Sequence, residues 1–202
     1  MALDPALHAT LARISTGTVT TVLLKKGLRN VWMRGPLPFT PAARSGRRLV
    51  GPAFTLRFVP AREDLATPES WSSPISTRAA IEAMPEGCIA VRDVVGVNVT
   101  GMPVWCRGGA APPSVAGLTF VGWGEPIGCG GVAVFPDDVI VCDDDGAVVI
   151  PKALVAEVAA TGEEQERLEA WIVARVEAGA TLPGLYPPNA ENRARYEAER
   201  GR

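Results

Sequence analysis

The sequence predicts an α/β domain, and three observations carry that reading. Leu3, Leu7, Leu11 and Ile14 recur at helical spacing, so the chain opens on an amphipathic helix. The middle alternates short apolar runs with glycine, proline and aspartate turns, as strands do. From Lys152 to Ala178 the apolar residues Leu168, Trp171, Ile172 and Val176 return to helical spacing. A chain of 202 residues is long enough to bury one sizeable core and short enough to make one domain.

The elements follow in order. Ser15 or Thr16 is placed to cap a second helix, which Lys25-Lys26-Gly27 ends: the cations favour the carbonyl end and glycine tolerates the reversed backbone. Residues 29–48, rich in arginine, proline and glycine, read as an irregular connection. Phe54, Leu56 and Phe58 alternate along a strand of about 50–59 that Pro60 closes. Residues 60–76 read as a loop or lid, Thr77–Met84 as a helix stopped by Pro85, and 88–91 as an apolar strand. Short strands are expected at Pro103–Trp105 and Leu118–Val121, with loop at 108–116 between them. More follow between the turns Pro136-Asp137-Asp138 and Asp144-Asp145-Gly146. Gly162 is a candidate break in the long C-terminal helix. The proline-marked, charged end, 182–202, suits an arm on a neighbouring subunit or a frayed tail.

Composition narrows the chemistry. With 47% hydrophobic and 21% charged residues the chain reads as a soluble globular protein, and a net charge of −2 gives no basic excess for nucleic acid. No apolar run reaches the roughly 18 residues of a membrane span. The N-terminus lacks a secretion-signal pattern, so a cytoplasmic location with reduced thiols is expected. Cys88, Cys106, Cys129 and Cys142 form no C-x-x-C pair, which argues against a zinc ribbon. His8 is the sole histidine and Lys25, Lys26 and Lys152 the only lysines, so Ser-His-Asp and Schiff-base mechanisms have few candidates.

Three acidic clusters have plain readings. Asp143-Asp144-Asp145-Gly146 lacks the ligand spacing of a calcium loop and reads as a turn with Gly146 at positive φ. Asp137-Asp138 behind Pro136 reads as another turn, and Glu163, Glu164, Glu166 and Glu169 as a solvated helix face. Arg92 and Asp93 differ because they close the apolar strand Cys88–Val91. Strand C-termini in α/β sheets are where ligands collect. The guanidinium fork suits a carboxylate or 2-oxo acid, and the carboxylate suits a hard cation. A structural ion pair is the alternative.

The segments "VRDVVGVNVTGMPVWCRG" and "GGVAVFPDDVIVCDDDGAVVIP" resemble the RraA-like group, best over residues 77–160. That group includes 4-hydroxy-4-methyl-2-oxoglutarate aldolases with oxaloacetate decarboxylase activity, and the ribonuclease E regulator. The spacing from Arg92-Asp93 to Gly101-Met102-Pro103-Val104-Trp105 and on to Arg107-Gly108 fits. The resemblance implies a swivelling β/β/α domain, a mixed sheet flanked by helices, over residues 1–160. Residues 161–202 would then form a C-terminal helix and arm packing on a neighbouring subunit of a trimer or hexamer. It implies a metal-dependent lyase acting on a small 2-oxo acid, with Arg92 binding the pyruvyl moiety and Asp93 holding Mg²⁺ or Mn²⁺. A non-catalytic regulator of a protein partner, or an inactive paralogue, is the alternative. Two departures stand out. The family carries a Gly-(Asp/Glu)-Leu-Leu segment, a helix and a further strand before its Arg-Asp, roughly thirty residues in all, whereas here Val91 runs straight into Arg92. Val94–Val99 is also rich in β-branched residues where the family has a helix.

Overall fold

The computed structural model describes residues 2–91, 102–108 and 117–200. Its organising strand is β3 (Leu49–Pro60), which pairs in turn with three others. Residues 49–52 pair antiparallel with β9 (Val139–Asp143), and 53–55 pair parallel with β4 (Ile89–Val91). Beyond an irregularity at Arg57/Phe58, residues 56–60 pair antiparallel with β6 (Leu118–Trp123). With β1 (Trp32–Met33) and β10 (Gly146–Ile150), the path runs β1-β10-β9-β3-β4, with β6 added alongside β3. This is the mixed sheet that was expected. Between β3 and β4, the loop and helix α3 (Thr77–Glu82) make the crossover that parallel neighbours require.

Why β9 and β10 read as continuous apolar runs is now plain: both of their faces are covered, and every residue of β10 is buried. The two-residue period of a strand sorts them into two cores. Val139, Val141, Val148 and Ile150 face one core with Leu11, Val19, Leu23 and Val158, from helices α1 (Pro5–Leu11), α2 (Thr16–Lys25) and α4 (Val155–Glu177), and with Ile14 from the link between α1 and α2. Ile140, Cys142, Ala147 and Val149 face the other, with Met33, Ala53, Val91, Val132 and Val134. Burial of each valine, leucine, isoleucine or methionine among them contributes about 1.5–3 kcal/mol.

The helix ends behave as read, with one addition. Ser15 is the cap of α2, its hydroxyl accepting from the Thr18 amide, and Gly27 sits at φ +85°. Asp4 caps α1 by accepting from the Ala6 and Leu7 amides. Residues 29–48, expected to be irregular, hold β1 and a second short strand, β2 (Leu37–Pro38). β2 pairs with β5 (Trp105–Cys106), and a hairpin of β7 (Ile127–Cys129) and β8 (Val132–Val134) precedes β9.

Gly162 does not split the long helix: α4 runs unbroken through it. A Cβ at Gly162 would lie 2.9 Å from Ile14 Cδ1 and 3.0 Å from Cγ2, so the glycine makes room for a core side chain. The charged C-terminus is not frayed over its whole length either. Helix α5 (Ala190–Glu199) returns onto α4 of the same chain, burying Tyr196 with Leu168, Ile172 and Leu185. Trp171 Nε1 donates to Glu199 at 3.1 Å, Arg175 stacks 3.7 Å over the Trp171 ring and pairs with Glu199, and Tyr196 donates to Glu164 at 3.0 Å.

The acidic face of α4 therefore does more than meet solvent. Glu163 pairs with Arg13 at 2.9 Å, and Glu166 accepts from the Ser15 amide at 2.8 Å, holding the entry of α2 against α4. Burial pushes the Glu166 carboxyl up. The amide and hydroxyl of Ser15, the Thr18 hydroxyl and the Arg48 charge outweigh that push and hold it below the usual carboxylate range. A lowered folded-state pKa contributes stability that is present above the unfolded value and lost as pH falls through the folded one. Glu166→Gln is therefore expected to cost about 1 kcal/mol at neutral pH. Its melting midpoint should converge on that of the unsubstituted protein as the pH drops below 4; a constant gap across that range would contradict the assignment.

Candidate active site

Strand β4 is short and sits at the end of the sheet path, with β3 as its partner among the described residues. Its register places Ile89 by Ala53, Ala90 by Phe54 and Val91 by Thr55. Val91 is buried in the second core. Thr55 is fully buried, its hydroxyl donating to the Glu125 carbonyl at 2.7 Å, while the Gly124 amide donates to the Thr55 carbonyl at 3.0 Å. The strand that leads into Arg92 is thus fixed on one side by β3 and from below by apolar packing. Arg92 and Asp93 themselves lie outside the described residues, as do Val94–Val99.

The chain is picked up again at Met102 and is firmly held there. The buried Thr40 hydroxyl donates to the Met102 carbonyl and accepts from the Val104 amide, both at 3.0 Å. The Phe39 amide donates to the Val104 carbonyl at 2.8 Å. Trp105 Nε1 donates to the Asp143 carbonyl at 2.6 Å, and the Arg107 stem lies against Gly35. The segment carrying the candidate pair is therefore bounded by two anchors, β4 and the β2–β5 ribbon.

The other polar groups are occupied by structure. The Asp143 carboxylate accepts from the Thr16 amide at 2.8 Å, the Thr16 hydroxyl at 2.7 Å and the Asp145 amide at 3.0 Å, with Arg48 Nε 3.7 Å away. Sequence reasoning took this cluster as a turn and missed that Asp143 ties the start of α2 to the end of β9. The only available signal was a hydroxyl-rich helix start, which needs an anionic acceptor from somewhere. Gly146 does sit at φ +135°. Buried Asp138 accepts from the Phe135 and Lys152 amides at 2.9 and 3.0 Å, and Asp137 is held below the usual carboxylate range by Lys152, 2.9 Å away. His8 is exposed, as expected.

The cysteines are all free thiols, and burial pushes that of Cys142 far up, so it is no nucleophile. Among the described residues no three His, Cys, Asp or Glu side chains are grouped to hold a metal ion. A cation site here would therefore rest on Asp93. One carboxylate with water and substrate oxygens is a usual arrangement for Mg²⁺. Among the described residues, no helix is long and apolar enough to cross a membrane.

Residues 89–149, which include Arg92, Asp93 and the β5–β10 run, match the RraA-like family model, described as Aldolase/RraA. A protein of Halalkalibacterium halodurans named "Putative 4-hydroxy-4-methyl-2-oxoglutarate aldolase" is 41% identical over 66 residues, 31% of this chain and 30% of that protein. That match spans less than a third of the relative's length. Among solved structures, Streptomyces coelicolor RraAS2, described as an unusual member of the RNase ES inhibitor RraA family, superposes with a TM-score of 0.66. It is 26% identical, over 85% of this chain and 97% of its own. An uncharacterised Pseudomonas syringae protein shares the fold with a TM-score of 0.75 at 20% identity, over 94% of this chain and 96% of its own. Residues 89–149 are thus similar to the RraA-like family, and the fold around them is similar to that of RraAS2.

Proposed function

We propose that the chain is a divalent-metal-dependent lyase that cleaves 4-hydroxy-2-oxo dicarboxylic acids by retro-aldol reaction or decarboxylates oxaloacetate, releasing pyruvate. The observation that supports it most is that Arg92 and Asp93 fall inside the RraA-like segment, directly after a parallel strand whose last residue, Val91, is buried. The partial likeness to a protein named "Putative 4-hydroxy-4-methyl-2-oxoglutarate aldolase" supports this reaction class. Both reactions leave negative charge on the 2-oxo oxygen of a pyruvyl unit. Arg92 would bind the carboxylate and oxo oxygens through its fork of donors, an interaction that strengthens as that charge grows. Asp93 would hold Mg²⁺ or Mn²⁺, which supplies Lewis acidity at the same oxygens. With His8 exposed and remote in sequence, water is the proton carrier this chain has to offer. The protein is further proposed to work in the cytoplasm as a trimer or hexamer, the α4–α5 arm packing on a neighbouring subunit.

Likeness to RraAS2 over most of the chain favours a second reading, a non-catalytic regulator of a ribonuclease or other protein partner. The crossover unit expected before Arg92 is absent from the sequence, and β4 ends the sheet path, which also suits an inactive paralogue. A coupled assay for pyruvate, with oxaloacetate and with a 4-hydroxy-2-oxo diacid, separates the readings. Turnover above the cation's own background that disappears on chelation is expected of the lyase. Its absence from a folded, full-length protein would favour the regulator or the paralogue.

A further inference from the structure

A groove runs between α2 and β1, the strand at the opposite end of the sheet path from β4. Its free volume is about 320 Å³ and its walls are mostly apolar, which is room for the side chains of a partner. Trp32 pairs with Val148 of the first core, so its indole lies on the helix-covered face of the sheet, yet it is 47% exposed. Leu28 packs on the same core, and Leu24, four residues earlier, is 54% exposed. The Thr20 and Thr21 hydroxyls donate back to the Gly17 carbonyl at 2.8 and 2.9 Å, so this wall has no hydroxyl hydrogen in want of an acceptor. α4 packs against α2 from one side, and the groove marks another side, where the helix layer has a place for one more member.

Charge decides what that member is. Arg29 lines the groove, is exposed, and forms no ion pair with a described residue. Lys25, on α2, meets the neutral Gln165 side chain at 3.4 Å and forms no ion pair with a described residue either. No Asp or Glu occurs between Pro5 and Arg62, so neither α2 nor β1 carries an acid of its own. A second copy of the chain docked through the same face would set cations against cations. A helix with an apolar stripe and acidic flanks satisfies both the walls and the charge.

We propose that this groove docks an acidic amphipathic helix of a partner protein, its apolar stripe against Leu24, Leu28 and Trp32 and its carboxylates towards Arg29. The inference does not depend on Arg92 and Asp93. Fluorescence anisotropy of a labelled peptide titrated with the full chain tests it. The probe is a capped peptide of about four helical turns, with leucine along one face and glutamate elsewhere. One control carries lysine in place of glutamate, and another shuffles the probe's composition so that no leucine stripe forms. Saturable binding of the probe, at least about tenfold tighter than of either control and weakened by salt, is expected. Arg29→Ala should weaken it about two- to five-fold, as loss of one exposed ion pair does. Leu24→Asp, at an exposed position, should weaken it at least about tenfold with the melting midpoint unchanged. No saturable binding, equal affinity for the lysine control, or affinity unchanged in both Arg29→Ala and Leu24→Asp would overturn the proposal. So would self-association of the full chain that Leu24→Asp abolishes, because a second copy would then fill the groove.

Discussion

Arg92→Ala and Asp93→Ala are each expected to remove metal-dependent pyruvate release from oxaloacetate, by at least about 100-fold, as loss of one group stabilising developing charge does elsewhere. The two losses should differ in kind. Without the guanidinium the pyruvyl carboxylate loses its fork of donors, so KM should rise as kcat falls. Arg92→Lys should recover part of the KM effect, since it keeps the charge and loses the planar fork. Without the Asp93 carboxylate the cation leaves, and excess Mg²⁺ should restore part of the rate. Variants compared at matched circular dichroism and melting midpoint give the answer. Unchanged turnover in either alanine variant would remove that residue from the mechanism.

Gly51→Ala is expected to be among the most destabilising single substitutions outside the two cores, although it adds one methyl group. A Cβ at Gly51 would stand 2.5 Å from the Gly87 carbonyl oxygen and 3.1 Å from Ile89 Cγ1. The oxygen is backbone and cannot rotate away, so β3 and the turn before β4 must separate. Overpacking of this kind costs about 1–3 kcal/mol, and more where backbone has to move. Because β4 leads directly into Arg92, the same substitution should lower activity even below its melting temperature. Gly128→Ala is the control: nothing lies within 4 Å of its Cβ position, so a change within about 0.5 kcal/mol is expected. Equal stability of the two variants in thermal or urea unfolding would contradict the close approach.

Much of the fold could be read in the sequence because its signals are local. The Ser15 cap, the Gly27 stop and the short apolar runs between turns that became Val139–Asp143 and Gly146–Ile150 each depend on neighbours a few residues away. What escaped the sequence is long-range. Gly162 looks like a helix break until Ile14, from the link between α1 and α2, is seen to need the space. Asp143 looks like turn polarity until it meets Thr16, and Glu166 like solvated surface until it meets Ser15. The tail from 182 onwards has the composition of a loose arm, yet Tyr196 finds a buried place against α4 once the chain reverses. For the candidate site, the strand before Arg92 was legible from the run Cys88–Val91, whereas its parallel pairing with β3 is a long-range fact that the structure supplies. The groove beside α2 was not legible, because Leu24 and Trp32 come from a helix and a strand with no shared spacing.

The central claim is that Asp93, next to Arg92 at the end of β4, holds a divalent cation together with a 2-oxo acid. Mn²⁺ binding followed by electron paramagnetic resonance tests it most directly, with oxalate standing in for the enolate of pyruvate. One Mn²⁺ per chain, bound more tightly with oxalate and at least about tenfold more weakly in Asp93→Ala, is the expected result. Mn²⁺ that binds Asp93→Ala as well as the unsubstituted protein, or that ignores oxalate altogether, would contradict it.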